Sequence, residues 1–249
     1  VTEWEKIASD LRRKIEAGEF TDGRLPTERD LAEEYEVARP TVQRALVSLT
    51  NDGLLEPGQG RRGRRIRRNR PLVFHVLRSE SPAAIAEHAA AGVDSWTAAA
   101  TEQDRAGGQQ ISVAIEEASA SIAAHLGIGQ GGEVTVRRRV RTLDGEPHNL
   151  ATTYYPRSLT GGSAIEGPGD IPQGTIALLG EMGWPQTRSR DEIGTRMPAP
   201  AEREQLEVPP GVPVLVHVRV GYSGDTPVKV TVTIWPGDRA RLVYEDGDV

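Results

Sequence analysis

LPTERDLAEEYEVARPTVQRALVSLTNDGLLEPGQGRRG, from Leu25 to Gly63, is the stretch that decides the fold. Thr27 with Asp30 three residues later resembles a capping box, the shorter Asp replacing Glu, and opens a short helix of about Glu28 to Tyr35. A tight turn passes through Val37. A further helix pattern follows, with Val42, Ala45, Leu46 and Leu49 on one face and an end near Gly53. Upstream, Trp4, Ile7, Ala8, Leu11 and Ile15 recur at helical spacing, and Gly18 offers the stop. Downstream, Leu54 and Leu55 begin a strand, Gly58–Gly60 make a turn, and a second, basic strand runs through Ile66. Three helices and a hairpin in some 68 residues predict a winged helix-turn-helix.

Such a unit sets one helix into the major groove, where its N-terminal residues meet base edges. The outer face of the third helix offers Arg39, Thr41, Gln43 and Arg44. Arg pairs bidentately with guanine, while Thr and Gln reach bases or phosphates. The charge distribution agrees. Residues 1–70 hold 15 Lys/Arg against 13 Asp/Glu, whereas residues 71–249 hold 15 against 23. Between Pro57 and Pro71 stand seven arginines and no acid. A basic segment on an otherwise acidic chain points to a local polyanion site. From charge alone, a disordered basic linker is the alternative.

The absence of cysteine excludes a disulfide scaffold, thiolate metal sites and a Cys nucleophile. No run of 18 apolar residues exists, so no membrane span is expected. The charged, amphipathic first residues contain no apolar signal core, and a cytoplasmic location is expected. Gly58–Gly63 matches G-x-G-x-x-G in letters only, because no βαβ unit surrounds it and arginines follow where a helix should open. The five histidines, at 75, 88, 125, 148 and 217, show no ligand spacing. No cofactor and no metal are expected, and no nucleophile or acid/base motif suggests an enzyme.

The string from Leu25 to Gly63 resembles the GntR family of bacterial transcription regulators, whose pattern runs P-S-E-R-x-L-A, V-S-R-x-T-V-R-x-A-L, G-L-L and G-x-G. The resemblance implies that Arg29, Arg39, Thr41 and Gln43, with Gly60 and Arg61 in the wing, lie at DNA-contact positions. The wing arginines, Arg62 among them, are expected on phosphates or in the minor groove. Four departures stand out. Ala38 replaces the usual Ser and leaves the recognition helix without a side-chain N-cap. Pro40 falls in that helix's first turn, where Pro is tolerated. Gln43 replaces a common Arg, and the wing reads RRGRRIRR. A shifted base preference and stronger phosphate attraction are expected.

A linker is read at 69–72, after a DNA-binding domain of residues 1–68 and before a second domain of residues 73–249. Strands are read at Leu72–Leu77, Gln110–Glu117, Glu133–Leu143, Glu146–Tyr155, Gln186–Met197, Val212–Tyr222, Pro227–Trp235 and Ala240–Glu245. Helices are read at Pro82–Ala91, Val93–Gln103, Ser121–Leu126, Thr175–Met182 and Pro200–Leu206. Asp144-Gly145 signals a hairpin. The class is α+β. IAAHLGI (Ile122–Ile128), RRRVRTLDGEP (Arg137–Pro147), TTYYP (Thr152–Pro156), LEVPPGVPVLVHVRV (Leu206–Val220) and TPVKVTVTIWPGDR (Thr226–Arg239) together resemble the UTRA domain. That domain is the effector-binding half of HutC-type GntR regulators, and the resemblance implies a chorismate-lyase-like fold.

Arg139 and Arg141, two apart on a strand, project from one face. The resemblance implies that matching arginines grip phosphate or carboxylate in the ligand pocket, a task that suits the planar guanidinium fork. Arg137 shares that side, so a solvated strand face is the alternative. Thr153 and Thr175 fall at hydroxyl-bearing pocket positions. Ala151 replaces an expected Glu, Lys229 another Glu, Trp235 the Tyr after it and Ala177 a further Tyr. Fewer acids and an added cation favour an anionic or aromatic effector over an amino sugar. Trp235 either stacks on a ligand ring or belongs to the core. The expected protein is a repressor that binds a palindromic operator in double-stranded DNA as a homodimer and answers to a small-molecule effector. Its alternatives are a plasmid- or phage-type regulator without an effector and a chorismate-lyase-like enzyme fused to a DNA-binding domain.

Overall fold

The apolar spacing of residues 4–15 becomes helix α1 (Glu3–Glu16) in the computed structural model, which describes residues 2–56, 63–67 and 71–245. Helices α2 (Glu28–Glu34) and α3 (Arg39–Asn51) follow. The capping box forms as expected. Thr27 Oγ1 accepts from the Asp30 amide at 3.3 Å, and the Asp30 carboxylate accepts from the Thr27 amide at 3.4 Å. Leu11, Leu31, Val42, Leu46, Leu49 and Leu55 interlock with almost no exposure. Each contributes roughly 1.5–3 kcal/mol relative to an exposed side chain.

Residues flanking the wing meet as isolated antiparallel bridges, Leu55 with Ile66 and Arg24 with Arg65. The Gly58–Gly60 turn read from the sequence lies outside the described residues. Gly63 has φ +84°, and a Cβ there would lie 1.8 Å from the Leu25 carbonyl oxygen, so only glycine fits. The buried Arg64 beside it donates to Thr50 Oγ1 at 2.9 Å and lies 3.6 Å from Glu28, which pins the wing base to α2 and α3.

The chain divides into two compact units, one of Val1–Arg70 with Glu207–Pro213, the other of Pro71–Leu206 with Val214–Val249. The second unit begins with β1 (Leu72–His75) and a 3-10 turn at Arg78–Glu80. Helices α4 (Pro82–Ala91) and α5 (Ser95–Thr101) come next, then β2 (Gly107–Glu117) and α6 (Ala120–Leu126). Strands β3 (Glu133–Leu143) and β4 (Glu146–Pro156) precede a short α7 (Arg157–Thr160) and α8 (Gly174–Glu181). The unit ends with β5 (Arg188–Arg196), α9 (Pro200–Gln205), β6 (Val214–Ser223), β7 (Thr226–Pro236) and β8 (Ala240–Val243). Six strands form one antiparallel sheet in the order β2-β3-β4-β7-β6-β5, and β1 pairs parallel with β8.

Several boundaries differ from the sequence reading. The helix read at Val93 starts at Ser95, because Gly92 turns left-handed to end α4 and Asp94 N-caps α5 through the Thr97 amide at 2.8 Å. Strand β6 starts at Val214 rather than Val212, after Pro213, which has no N–H to give to a ladder. Asp144 and Gly145 both take positive φ, +55° and +86°, as a type I′ hairpin requires.

Alternation along β3 sets up the site. Val134 and Val136 join Val220, Val230, Ile122 and Leu126 under α6 on one face. Thr135, Arg137, Arg139 and Arg141 take the other face. The register continues that second face across the sheet, from Arg137 to Thr153, Thr231, Arg219 and Asp191, and from Arg139 to Ala151, Thr233 and His217.

Candidate DNA-binding surface and effector pocket

Arg39, Gln43 and Arg44 are exposed on α3, opposite the buried Val42, Ala45 and Leu46, and Thr41 is half-buried. The helix starts without a side-chain cap at Ala38 and with Pro40 in its first turn, as the sequence implied. Two of the sequence-predicted contacts are partly engaged within the unit. Arg44 stands over the Trp4 ring at 5.9 Å, and Arg29 lies 3.3 Å from Asp30 and 3.9 Å from Glu33. Gly60, Arg61 and Arg62 lie outside the described residues.

In the second unit, a cavity of about 110 Å³ opens on the arginine face of the sheet. Arg137, Arg139, Arg141, Thr153, Lys229 and Trp235 line it from the strands, and Thr175 and Ala177 from the first turns of α8. All six residues predicted for effector binding therefore border one space. The face is not a solvated one, since Arg137 is fully buried and Arg139 is 8% exposed.

The cations differ in what holds them. Arg137 donates to the carbonyls of Ile165, Gly167 and Gly169 at 3.0, 2.6 and 2.8 Å, so it braces the loop before α8. Burial, and then neighbouring Arg139, pushes its pKa down. Arg139 donates to Thr153 Oγ1 at 3.2 Å, and Thr153 in turn meets Thr231 at 3.1 Å. Thr153 thereby orients the guanidinium. Arg141 stacks over Trp96 at 5.5 Å and leaves its buried Nε without a partner. Burial drops its pKa to about 10, an effect that Asp94 partly offsets. Among the described residues, neither Arg139 nor Arg141 has a carboxylate within 4 Å. Guanidinium groups so placed suit an oxyanion.

Lys229 is held otherwise. Its Nζ lies 3.5 Å from Glu80, which also lies 3.0 Å from Arg219 Nε and accepts from Gln186 at 2.9 Å. Ala151 and Lys229 leave the two expected acid positions without a carboxylate, but the cavity has acids from elsewhere. Glu80, Asp94 and Asp170 line the cavity from outside the sheet. They went unseen because they sit in a short turn, a helix cap and a loop, where no periodic signal points inward. Burial raises the Glu80 pKa, but Lys229 and Arg219 outweigh it and hold the group at about 2. Trp235 is both wall and core, 2% exposed and packed at 5.7 to 6.2 Å from Phe74, His148 and Trp96.

Comparison with known proteins assigns both halves. The bacterial regulatory proteins of the gntR family match residues 4–64, and the UTRA domain matches residues 102–241. The chain belongs to the GntR family and carries a UTRA domain. It is 30% identical over 236 residues to the transcriptional repressor PhnF of Mycolicibacterium smegmatis, covering 94% of this chain and 88% of that one. It is 25% identical over 242 residues to the transcriptional repressor NagR of Bacillus subtilis, covering 96% and 92%. The crystal structure of PhnF superposes with a TM-score of 0.59 at 26% identity, covering 95% of this chain and 99% of that one. This GntR protein is a DNA-binding transcriptional regulator with a small-molecule effector domain, not an enzyme. Among its described residues, no helix is long and apolar enough to cross a membrane.

Proposed function

We propose that this GntR regulator, of the HutC type, represses transcription from a palindromic operator as a homodimer and is released by a small anionic effector. The observation that carries the effector reading is the pair on one sheet face, Arg139 buried and Arg141 half-buried, with no carboxylate within 4 Å of either among the described residues. The Gly174–Thr175 start of α8 borders the same cavity and adds a helix N-terminus to which an anion is attracted. Both relatives are named as repressors, which supports that direction of control. Two recognition helices related by a twofold axis suit a twofold site. Release follows if the effector binds more tightly to a dimer geometry whose helices no longer match the half-sites.

The reading is tested by thermal denaturation with inorganic phosphate, small carboxylates, aromatic acids and sugar phosphates. Binding to the native state raises the melting temperature. At least one anion is expected to do so in the wild type and to lose that effect in Arg139→Gln. No anion effect at any concentration, or one indifferent to Arg139, overturns the pocket assignment. Tight, specific binding of glucosamine 6-phosphate overturns the preference against amino sugars.

A further inference from the structure

The floor of the cavity carries two sets of cations. Arg139 and Arg141 have no carboxylate within 4 Å among the described residues and feel Asp94 only at longer range, whereas Arg219 on β6 and Lys229 on β7 share Glu80. Both members of the second set are under a tenth exposed and both line the cavity. The carboxylate they share, Glu80, is the last residue of a three-residue 3-10 turn, and its side chain is 16% exposed; Arg219 also has Asp191 at 3.7 Å, whereas Lys229 has Glu80 alone among the described residues. The neighbouring Arg78 faces solvent, paired with Glu102 on the surface. The turn is otherwise tied to the sheet through Arg219, whose Nη1 donates to the Val76 carbonyl at 3.0 Å. Glu80 is thus a small, near-surface insert in an anion site.

The size of the cavity agrees. At about 110 Å³ it has the volume of roughly four water molecules. Pockets for small molecules run from about 300 Å³ upward. Glu80 is part of the lining, so its withdrawal both enlarges the space and uncovers Arg219 and Lys229.

We propose that Glu80 is an internal stand-in for part of the effector, and that the effector carries two anionic groups. One binds Arg139 and Arg141, and the other displaces Glu80 from Arg219 and Lys229. This rests on reading the cavity as the effector pocket. The exchange substitutes one anion for another at the same cations, so no buried charge is left unpaired once Glu80 turns out to water. It also provides a route for the signal. Glu80 and Val76 lie on the stretch that leads through β1 back to Pro71, where the second unit begins.

The test is calorimetric titration of the full chain with inorganic phosphate. Glu80→Gln removes the competitor while keeping shape, and phosphate affinity is expected to rise on the order of tenfold, about 1.4 kcal/mol. Adding Lys229→Gln to that variant is expected to cancel the gain. A purely structural Glu80 gives equal or weaker binding in Glu80→Gln, which overturns the proposal. If Glu80→Gln does not fold, Glu80→Asp decides, because the shortened carboxylate holds the cations less well. A smaller gain supports the stand-in, and no gain overturns it. Wild-type binding that depends on Arg139 but ignores Glu80 sinks this inference alone. A gain in Glu80→Gln that ignores Arg139 sinks the first anion subsite and spares the second.

Discussion

Replacing Arg141 with Met is expected to stabilise the effector unit while removing its response to anions. Burial lowers the Arg141 pKa from the ordinary guanidinium range to about 10. A depression of that size works against the charged form by roughly 3 kcal/mol. The folded value lies below the unfolded one, so the folded state binds fewer protons between about 10 and the ordinary guanidinium range. The cost is therefore present in full at every pH below about 10. Met retains most of the stem packed over Trp96 and carries no charge. It forgoes the contact of the guanidinium with the ring, about 1 kcal/mol, while the attraction of Asp94 is already contained in the net depression. A net gain of about 1–2 kcal/mol remains, equivalent to roughly 2–8 °C in melting temperature for a unit of this size. Differential scanning calorimetry at pH 7.5 measures it. A fall in melting temperature would refute the reasoning, since it would make Arg141 a strut rather than a charge held for a ligand.

Two further predictions concern stability. Gly63→Ala forces a Cβ within 1.8 Å of the Leu25 carbonyl oxygen at φ +84°, and a loss of more than about 3 kcal/mol is expected in chemical denaturation of the first unit. His148 is held at about 4 by burial, despite the Arg239 carbonyl 2.9 Å from its Nε2. Its folded pKa lies below the unfolded value of 6.5, so stability is complete above 6.5 and falls as pH drops towards 4, by roughly 3 kcal/mol. Urea unfolding between pH 7 and 4 is expected to show that slope in the wild type and a flatter one in His148→Gln. An unchanged slope in the variant assigns the effect to another group.

The helices of the first unit were legible because Leu11, Leu31, Val42 and Leu46 keep helical spacing and Thr27 and Asp30 mark a start. The hairpins were legible for a similar local reason, since Asp144-Gly145 tolerates positive φ at both positions. The cavity was legible only in part. Alternation placed Arg139 and Arg141 on one face, but nothing local decided whether that face met water. The answer depends on a loop about thirty residues away, whose carbonyls at Ile165, Gly167 and Gly169 take up Arg137. Glu80 was out of reach for the same reason. Its partners Arg219 and Lys229 follow it by more than a hundred residues, and a 3-10 turn of three residues has no period to read. The unforeseen α7 at Arg157–Thr160 is likewise a single turn.

The central claim is that α3 reads a specific DNA sequence. Its most direct test is fluorescence anisotropy with duplex DNA from immediately upstream of the protein's own gene and with a scrambled duplex, over a salt series, for the wild type and Arg39→Ala. The account predicts tight binding to the native duplex, a large preference over the scrambled one, and loss of that preference in the variant while a weaker, salt-sensitive component persists. Equal, steeply salt-dependent binding to both duplexes, unaffected by Arg39→Ala, would contradict it and reduce the interaction to arginines gripping phosphate.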